Sequence, residues 1–180
     1  AMAGSGMFAQ GAAPSPSAAV QATLLSARVV SAHVQVAAGG AGAWHDWSNG
    51  RLVAERDQIR MGPQSVIELT LPDGKVTLQA LDDVSLTVAR LSGNGEARLL
   101  LTTGDLRVQS ASRLLHLETT SLAAQCLDAG SVFRAQASAG ESRLTTERGQ
   151  VLVTAGERSL VLTQGESALA GVLPAVLPVQ

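Results

Sequence analysis

Chemistry in this chain would have to come from few residues: three histidines, one cysteine and a scatter of carboxylates. His33, His45 and His116 stand far apart in sequence, and no pair has the spacing that sets two metal ligands on one helix face or one hairpin. His45-Asp46, held between Trp44 and Trp47, resembles a catalytic pair. Adjacent residues of a strand point to opposite faces, however, and no third member of a triad can be named. Asp82-Asp83 lacks the further carboxylates that a calcium loop demands and reads as a solvated turn. The Gly-rich runs GAGA and SGNG lack the strand-to-helix setting of a phosphate cradle. Cys126 has no basic neighbour to lower its pKa and reads as a buried apolar residue. The expectation is no catalytic residue, no metal and no cofactor: a protein that is not an enzyme and acts by contact.

The elements that would position any contact surface are strands. Ser65, Ile67, Leu69 and Leu71 alternate with Val66, Glu68 and Thr70, the period-two pattern of a half-buried strand. Pro72, Asp73 and Gly74 then reverse the chain: Pro fixes φ, Asp can bond its own backbone, and Gly takes a positive φ without steric cost. Val76, Leu78 and Ala80 resume the inward set, so the two runs form a hairpin with one apolar face. Upstream, Leu24 to Val36 reads as one long strand with Val30, Ala32, Val34 and Val36 on a single face. Downstream, Val84, Leu86 and Val88 alternate, and Arg98 to Thr102 and Asp105 to Gln109 read as two short strands flanking Gly104. Further short runs continue to Leu160–Thr163, separated by Gly and polar turns. Strands at such spacing predict an all-β fold, an elongated twisted β-solenoid-like or sandwich-like domain of many short strands.

Composition narrows the class. Hydrophobic residues make up 46% of the 180, yet only Phe8, Trp44, Trp47 and Phe133 are aromatic, so the core must be Val, Leu, Ile and Ala. The net charge is -2, and no basic run of the kind a phosphate backbone needs is present, so no nucleic-acid partner is expected. No apolar run approaches the roughly 20 residues of a membrane helix, and no membrane span is expected. Residues 1–25 carry no charge and are rich in Ala, Gly, Ser and Pro, the composition of a leader, linker or donor strand. The small-residue start is also what a removed leader would leave. The domain reading is 1–25 as that segment, 26–168 as the β-domain and 169–180 as an apolar tail.

Several local patterns, taken in order, resemble the extracytoplasmic FecR domain family. Gly62, Ser65, Leu69, Leu71, Asp73 and Gly74 match its phrase Gly-x-x-Ser-x-x-x-Leu-x-Leu-x-Asp-Gly, and Val76 to Leu78 its next strand. Arg98 to Gly104 with Leu106 and Val108 resembles the following step. Gly130 and Phe133 match the Gly-Thr-x-Phe turn, with Ser131 where Thr is usual. Gly149 to Val153, then Leu162, Gly165 and Glu166, resemble its close. The resemblance spans about residues 28 to 168 and implies an elongated, twisted β-solenoid. In the family's best-known members the domain lies in the periplasm, after a membrane helix and a sigma-factor-binding domain, and receives a signal from an outer-membrane transporter. This sequence contains neither flanking part.

Two contact functions follow as expectations. In the first, the protein is a bacterial secreted, periplasmic or cell-surface subunit that self-assembles into a homo-oligomer or filament. Its uncharged first segment, with Val20, Leu24 and Leu25 filling apolar gaps, would add as a strand to a neighbouring copy. In the second, implied by the resemblance, it is a periplasmic signal-sensing domain of a sigma-factor regulator, or an envelope scaffold, binding another envelope protein. Trp44 and Trp47 read first as a cap on one end of the core, and second as anchors for a partner, since aromatics dominate binding hot spots.

Overall fold

The computed structural model describes residues 24–171 except 32, 41 and 48–51. The first eight strands are β1 (Leu24–Ser31), β2 (Val34–Ala37), β3 (His45–Asp46), β4 (Leu52–Ala54), β5 (Gln58–Met61), β6 (Val66–Leu71), β7 (Gly74–Ala80) and β8 (Val84–Leu91). The rest are β9 (Ala97–Ser110), β10 (Leu115–Glu118), β11 (Ala123–Cys126), β12 (Ser131–Ser138), β13 (Glu141–Arg148), β14 (Val151–Ala155), β15 (Arg158–Leu162) and β16 (Ser167–Gly171). The fold is all-β, as expected; among the described residues the one helical element is the 3-10 turn Ala38–Gly40.

Hydrogen bonding joins these strands into one mixed sheet, which β9 folds into two layers. The first layer runs β4-β1-β6-β7-β9-β12-β13-β16, and the second β3-β2-β5-β8-β9-β10-β11-β14-β15. Neighbours are antiparallel, except that β10 lies parallel to β9. The chain passes back and forth between layers, laying down hairpins as it goes, so the arrangement is sandwich-like in section. Each strand turns alternate residues inward, and these share one aliphatic core in which Phe133 is the deeply buried aromatic. The central hairpin behaves as its alternation predicts: Ile67, Leu69, Leu71, Val76, Leu78 and Ala80 are all buried, and Leu69 faces Val76.

Strand β9 is where sequence and structure part. The two short strands expected around Gly104 are one 14-residue strand. Its inward set is Ala97, Leu99 and Leu101 in the first half, then Leu106, Val108 and Ser110 in the second, so the phase slips by one residue in between. The first half pairs with β8 and β10 in one layer, and the second with β7 and β12 in the other. Gly104 makes the crossing possible: its φ is +122°, and a Cβ there would lie 2.5 Å from the Asp83 carbonyl oxygen and 2.7 Å from the Val84 Cα. A side chain at that point would collide with backbone.

The same device corrects the reading of Leu24 to Val36 as a single strand. It is two strands in different layers, β1 beside β6 and β2 beside β5. The register of β1 on β6 shifts between Val29 and Ser31, so Leu25 and Ala27 point inward while Val30, expected inside, is 50% exposed. A slip of one residue moves every later side chain to the opposite face. The turn of the central hairpin also differs in detail. Asp73 does not bond its own backbone; it accepts hydrogen bonds from Ser112 Oγ and, at 2.8 Å, from the Arg113 N–H. Gly74, with a Cβ position 2.6 Å from the Ala111 carbonyl oxygen, lets that neighbouring loop sit directly on the turn. Alternation also passes over β5 and β16.

Two substitutions test this architecture by chemical denaturation. Leu69→Ala should cost about 2 to 5 kcal/mol through the cavity it leaves, and Gly104→Ala about 2 to 4 kcal/mol through backbone strain and overpacking. A Gly104→Ala protein as stable as the wild type would mean that β9 crosses between layers elsewhere.

Candidate contact surface

The segment carrying both tryptophans follows the short β2, whose Val34, Val36 and Ala37 are buried. The 3-10 turn after it is anchored by Asp57, a carboxylate that is only 4% exposed. Asp57 accepts a hydrogen bond from the Gly39 N–H at 3.1 Å and one from the Ala54 N–H at 3.0 Å, tying this turn to the end of β4. The chain then returns as β3, which pairs Asp46 with Gln35 and His45 with Val36, and the Trp47 N–H donates to the Val34 carbonyl at 2.9 Å. Trp47 is half-buried and packs on the core, though its buried indole N–H has no hydrogen-bond partner.

Trp44 does something different. It is half-buried at the surface, and the Arg60 guanidinium carbon sits 3.8 Å from its ring centroid. This is a cation–π stack, worth about 0.5 to 1 kcal/mol at an exposed site. Register explains how residues 16 apart meet: β2 pairs with β5, setting Gln35 opposite Arg60, and β5 pairs with β8, setting Arg60 opposite Ser85. Asp46, Gln35, Arg60 and Ser85 therefore form a polar row across four neighbouring strands, with Gln35 Nε2 3.4 Å from Asp46 Oδ1. A cleft of about 500 Å³ opens over this row.

The outer face of the other layer carries several carboxylate–cation pairs. Glu68 meets Arg28 and Lys75, Glu147 meets Arg107, and Asp105 takes two hydrogen bonds from Arg134, whose pKa is raised by that contact. Among the described residues Arg60 has no carboxylate partner. Its guanidinium, held flat by an indole, is the arrangement that dominates hot spots at protein interfaces, where Trp and Arg are enriched.

The other residues singled out in the sequence are dispersed. Val20 lies outside the described residues. Leu24 pairs through its backbone with Ala54, and Leu25, expected to fill a gap on a neighbouring copy, is instead buried in the core of its own chain because β1 is an internal strand between β4 and β6. His33 and His45 are exposed, whereas His116 lies on β10 with its Nε2 3.6 Å from Glu96 Oε2. Asp82 and Asp83 sit exposed in a turn, where the Asp83 N–H donates to the Asp82 carboxylate. Among the described residues no three His, Cys, Asp or Glu side chains converge on one point. Arg60 and Gln35 escaped the sequence reading, since only the pairing of β2 with β5 brings them to Trp44.

A solved structure with a similar fold is the crystal structure of a candidate anti-sigma factor from Parabacteroides distasonis. The similarity has a TM-score of 0.50 at 15% identity and covers 66% of this chain; the chain spans 56% of that protein's length. At this identity the likeness is one of fold. No family model matches the chain, and no curated protein matches it.

Cys126 is buried, and desolvation pushes its thiol pKa up to about 11, partly offset by hydrogen bonding to Ser110 and Ser131. The unfolded thiol titrates near 8.5, so between about pH 9 and pH 11 the folded state holds a proton that the unfolded state has lost. Stability must then fall as pH rises through that window. The chain has no Tyr and a single Lys, so few other groups compete there. Urea melts should show this alkaline decline, and Cys126→Ala should flatten it; an equal slope in both proteins would remove Cys126 as the cause.

Proposed function

We propose that this chain is a non-catalytic extracytoplasmic binding domain of the FecR type, which receives a signal by docking another envelope protein on the Trp44–Arg60 surface. The observation that carries this reading is the similarity of fold to the anti-sigma factor structure over 66% of this chain. The residues that resemble the FecR phrase add to it, because each does a job in that fold. The Gly62 N–H and Ser65 Oγ both donate to the His33 carbonyl at 2.9 Å, closing the crossing between β1 and β2. Leu69 and Leu71 are core, and Asp73 and Gly74 seat the hairpin turn on the 111–113 loop. Such residues build the scaffold, which leaves recognition to the outer faces. Of these, the surface that sets the Arg60 guanidinium on the Trp44 ring has the residue types enriched at protein interfaces.

Self-assembly through the uncharged first segment is the competing reading, favoured by the exposed Val30 and Leu52 on the two strands β1 and β4 at that end. One experiment separates the two. With a photoreactive amino acid at position 44, cross-linking in the producing bacterium should yield an adduct with a different envelope protein. Trp44→Ala or Arg60→Ala should weaken that complex tenfold or more, about 1.4 kcal/mol, while leaving the melting temperature within a few degrees. Adducts joining only two copies of this chain would transfer the assignment to self-assembly.

A further inference from the structure

The cleft beside Trp44 has a fixed order of charge, and that order selects among partners. Arg60 on β5, Asp46 on β3 and Asp83 just before β8 all line it and are all exposed. Among the described residues neither carboxylate belongs to an ion pair. Strand pairing sets their spacing. Asp46 lies opposite Gln35 and Gln35 opposite Arg60, so two strand separations, roughly 10 Å, part Asp46 from Arg60. Ser85 lies opposite Arg60 on the other side, which makes Asp83, two residues along, a diagonal neighbour at about 7 to 8 Å. Between these groups the floor is open. Val34, Met61 and Val84 pair in line and are buried, and the next outward position on β5 is Gly62, which has no side chain to fill the space.

The Trp44 ring decides what Arg60 can still bind. It lies against one face of the guanidinium, 3.8 Å from ring centroid to guanidinium carbon, whereas a guanidinium donates its hydrogen bonds in its own plane. The in-plane N–H groups stay available for a carboxylate, which can take two of them side by side. A lone anion is nevertheless a poor occupant. It would gain one cation and meet two carboxylates, both within about a Debye length, roughly 8 to 10 Å. An acidic group that brings its own cations avoids that repulsion. In an extended segment alternate side chains stand about 7 Å apart on one face, so Lys or Arg two positions to either side of an acid can reach Asp46 and Asp83. This chain has no Asp or Glu flanked in that way, so a second copy does not supply the segment.

We propose, building on the docking reading above, that the cleft takes an extended segment of the partner protein in which an acidic residue has Lys or Arg two positions away on each side. The acid sits on Arg60 and the two cations on Asp46 and Asp83, with the segment crossing β3, β2, β5 and β8.

The test titrates the full chain with three capped peptides, followed by NMR shifts of the Trp44 indole. One is centred on Lys-Thr-Glu-Thr-Lys, one has the same composition with Glu moved to its end, and one is centred on Glu-Thr-Lys-Thr-Glu. The first should bind about tenfold or more tighter than either of the others, and salt should weaken it. Combining Asp46→Lys, Arg60→Glu and Asp83→Lys should invert the preference toward the third peptide. Asp83→Lys alone, which keeps Arg60 on Trp44, should weaken the first peptide several-fold and serves if the triple variant does not fold. The inference is overturned if the first two peptides bind alike, if none binds at millimolar concentration, or if Asp83→Lys changes nothing. An envelope-protein adduct from position 44 that is undiminished by Asp46→Lys with Asp83→Lys would also overturn it, while leaving the docking reading in place.

Discussion

Everything in this molecule depends on a strand that changes layers without breaking. A half-buried strand keeps one parity of side chains inside for as long as it stays in one sheet. To serve two sheets that share a core, it must invert that parity while its backbone remains paired on both sides. β9 does this between Leu101 and Leu106, and its halves supply the central ladder of each layer. The cost is steric. The crossing passes so close to Asp83 and Val84 that the position is open to glycine alone. Because both layers are built outward from β9, the alignment of the whole core follows from that single backbone conformation.

The remaining crossings are secured by polar contacts rather than by packing. His33 offers its carbonyl to the Gly62 N–H and the buried Ser65 hydroxyl, and Asp73 takes the Ser112 hydroxyl and the Arg113 N–H. Ser110 and Ser112 bond each other inside the same corner. Buried hydroxyls and amides without partners are costly, so chain reversals that leave regular pairing recruit short polar side chains to replace the lost ladder bonds. This accounts for an aliphatic core that nonetheless holds Ser65, Ser110, Ser112 and Ser131 at or near zero exposure.

With so much of the sequence committed to building the layers, what remains for recognition is surface. Both outer faces carry ion pairs, Arg98–Glu118 lying in the same layer as Arg60. One is laced by carboxylate–guanidinium pairs that satisfy each other, and surface pairs of this kind add little to stability. The other presents Arg60 against Trp44 beside a row of hydrogen-bonding side chains. Asp57 matters to that surface at one remove, since by fixing the turn after β2 and the end of β4 it sets where the tryptophan segment leaves the sheet.

Much of this was legible in the sequence, because alternation is a local property. The inward set Ile67, Leu69, Leu71, Val76 and Leu78, the reversal at Pro72–Gly74, the all-β class and an aliphatic core all follow from side-chain period and turn chemistry within a few residues. What the residues could not declare is which layer a strand joins, since either layer accepts the same alternation. That ambiguity put Val30 inside when it is exposed, divided β9 at the glycine that in fact carries it across, and gave Leu25 to a neighbour when its own core holds it. Trp44 was visible as a core cap or a partner anchor, but Arg60 became its partner only through the register of β2 on β5. Register between strands distant in sequence is set by the shared core and the crossings that feed it, and so belongs to the tertiary structure alone.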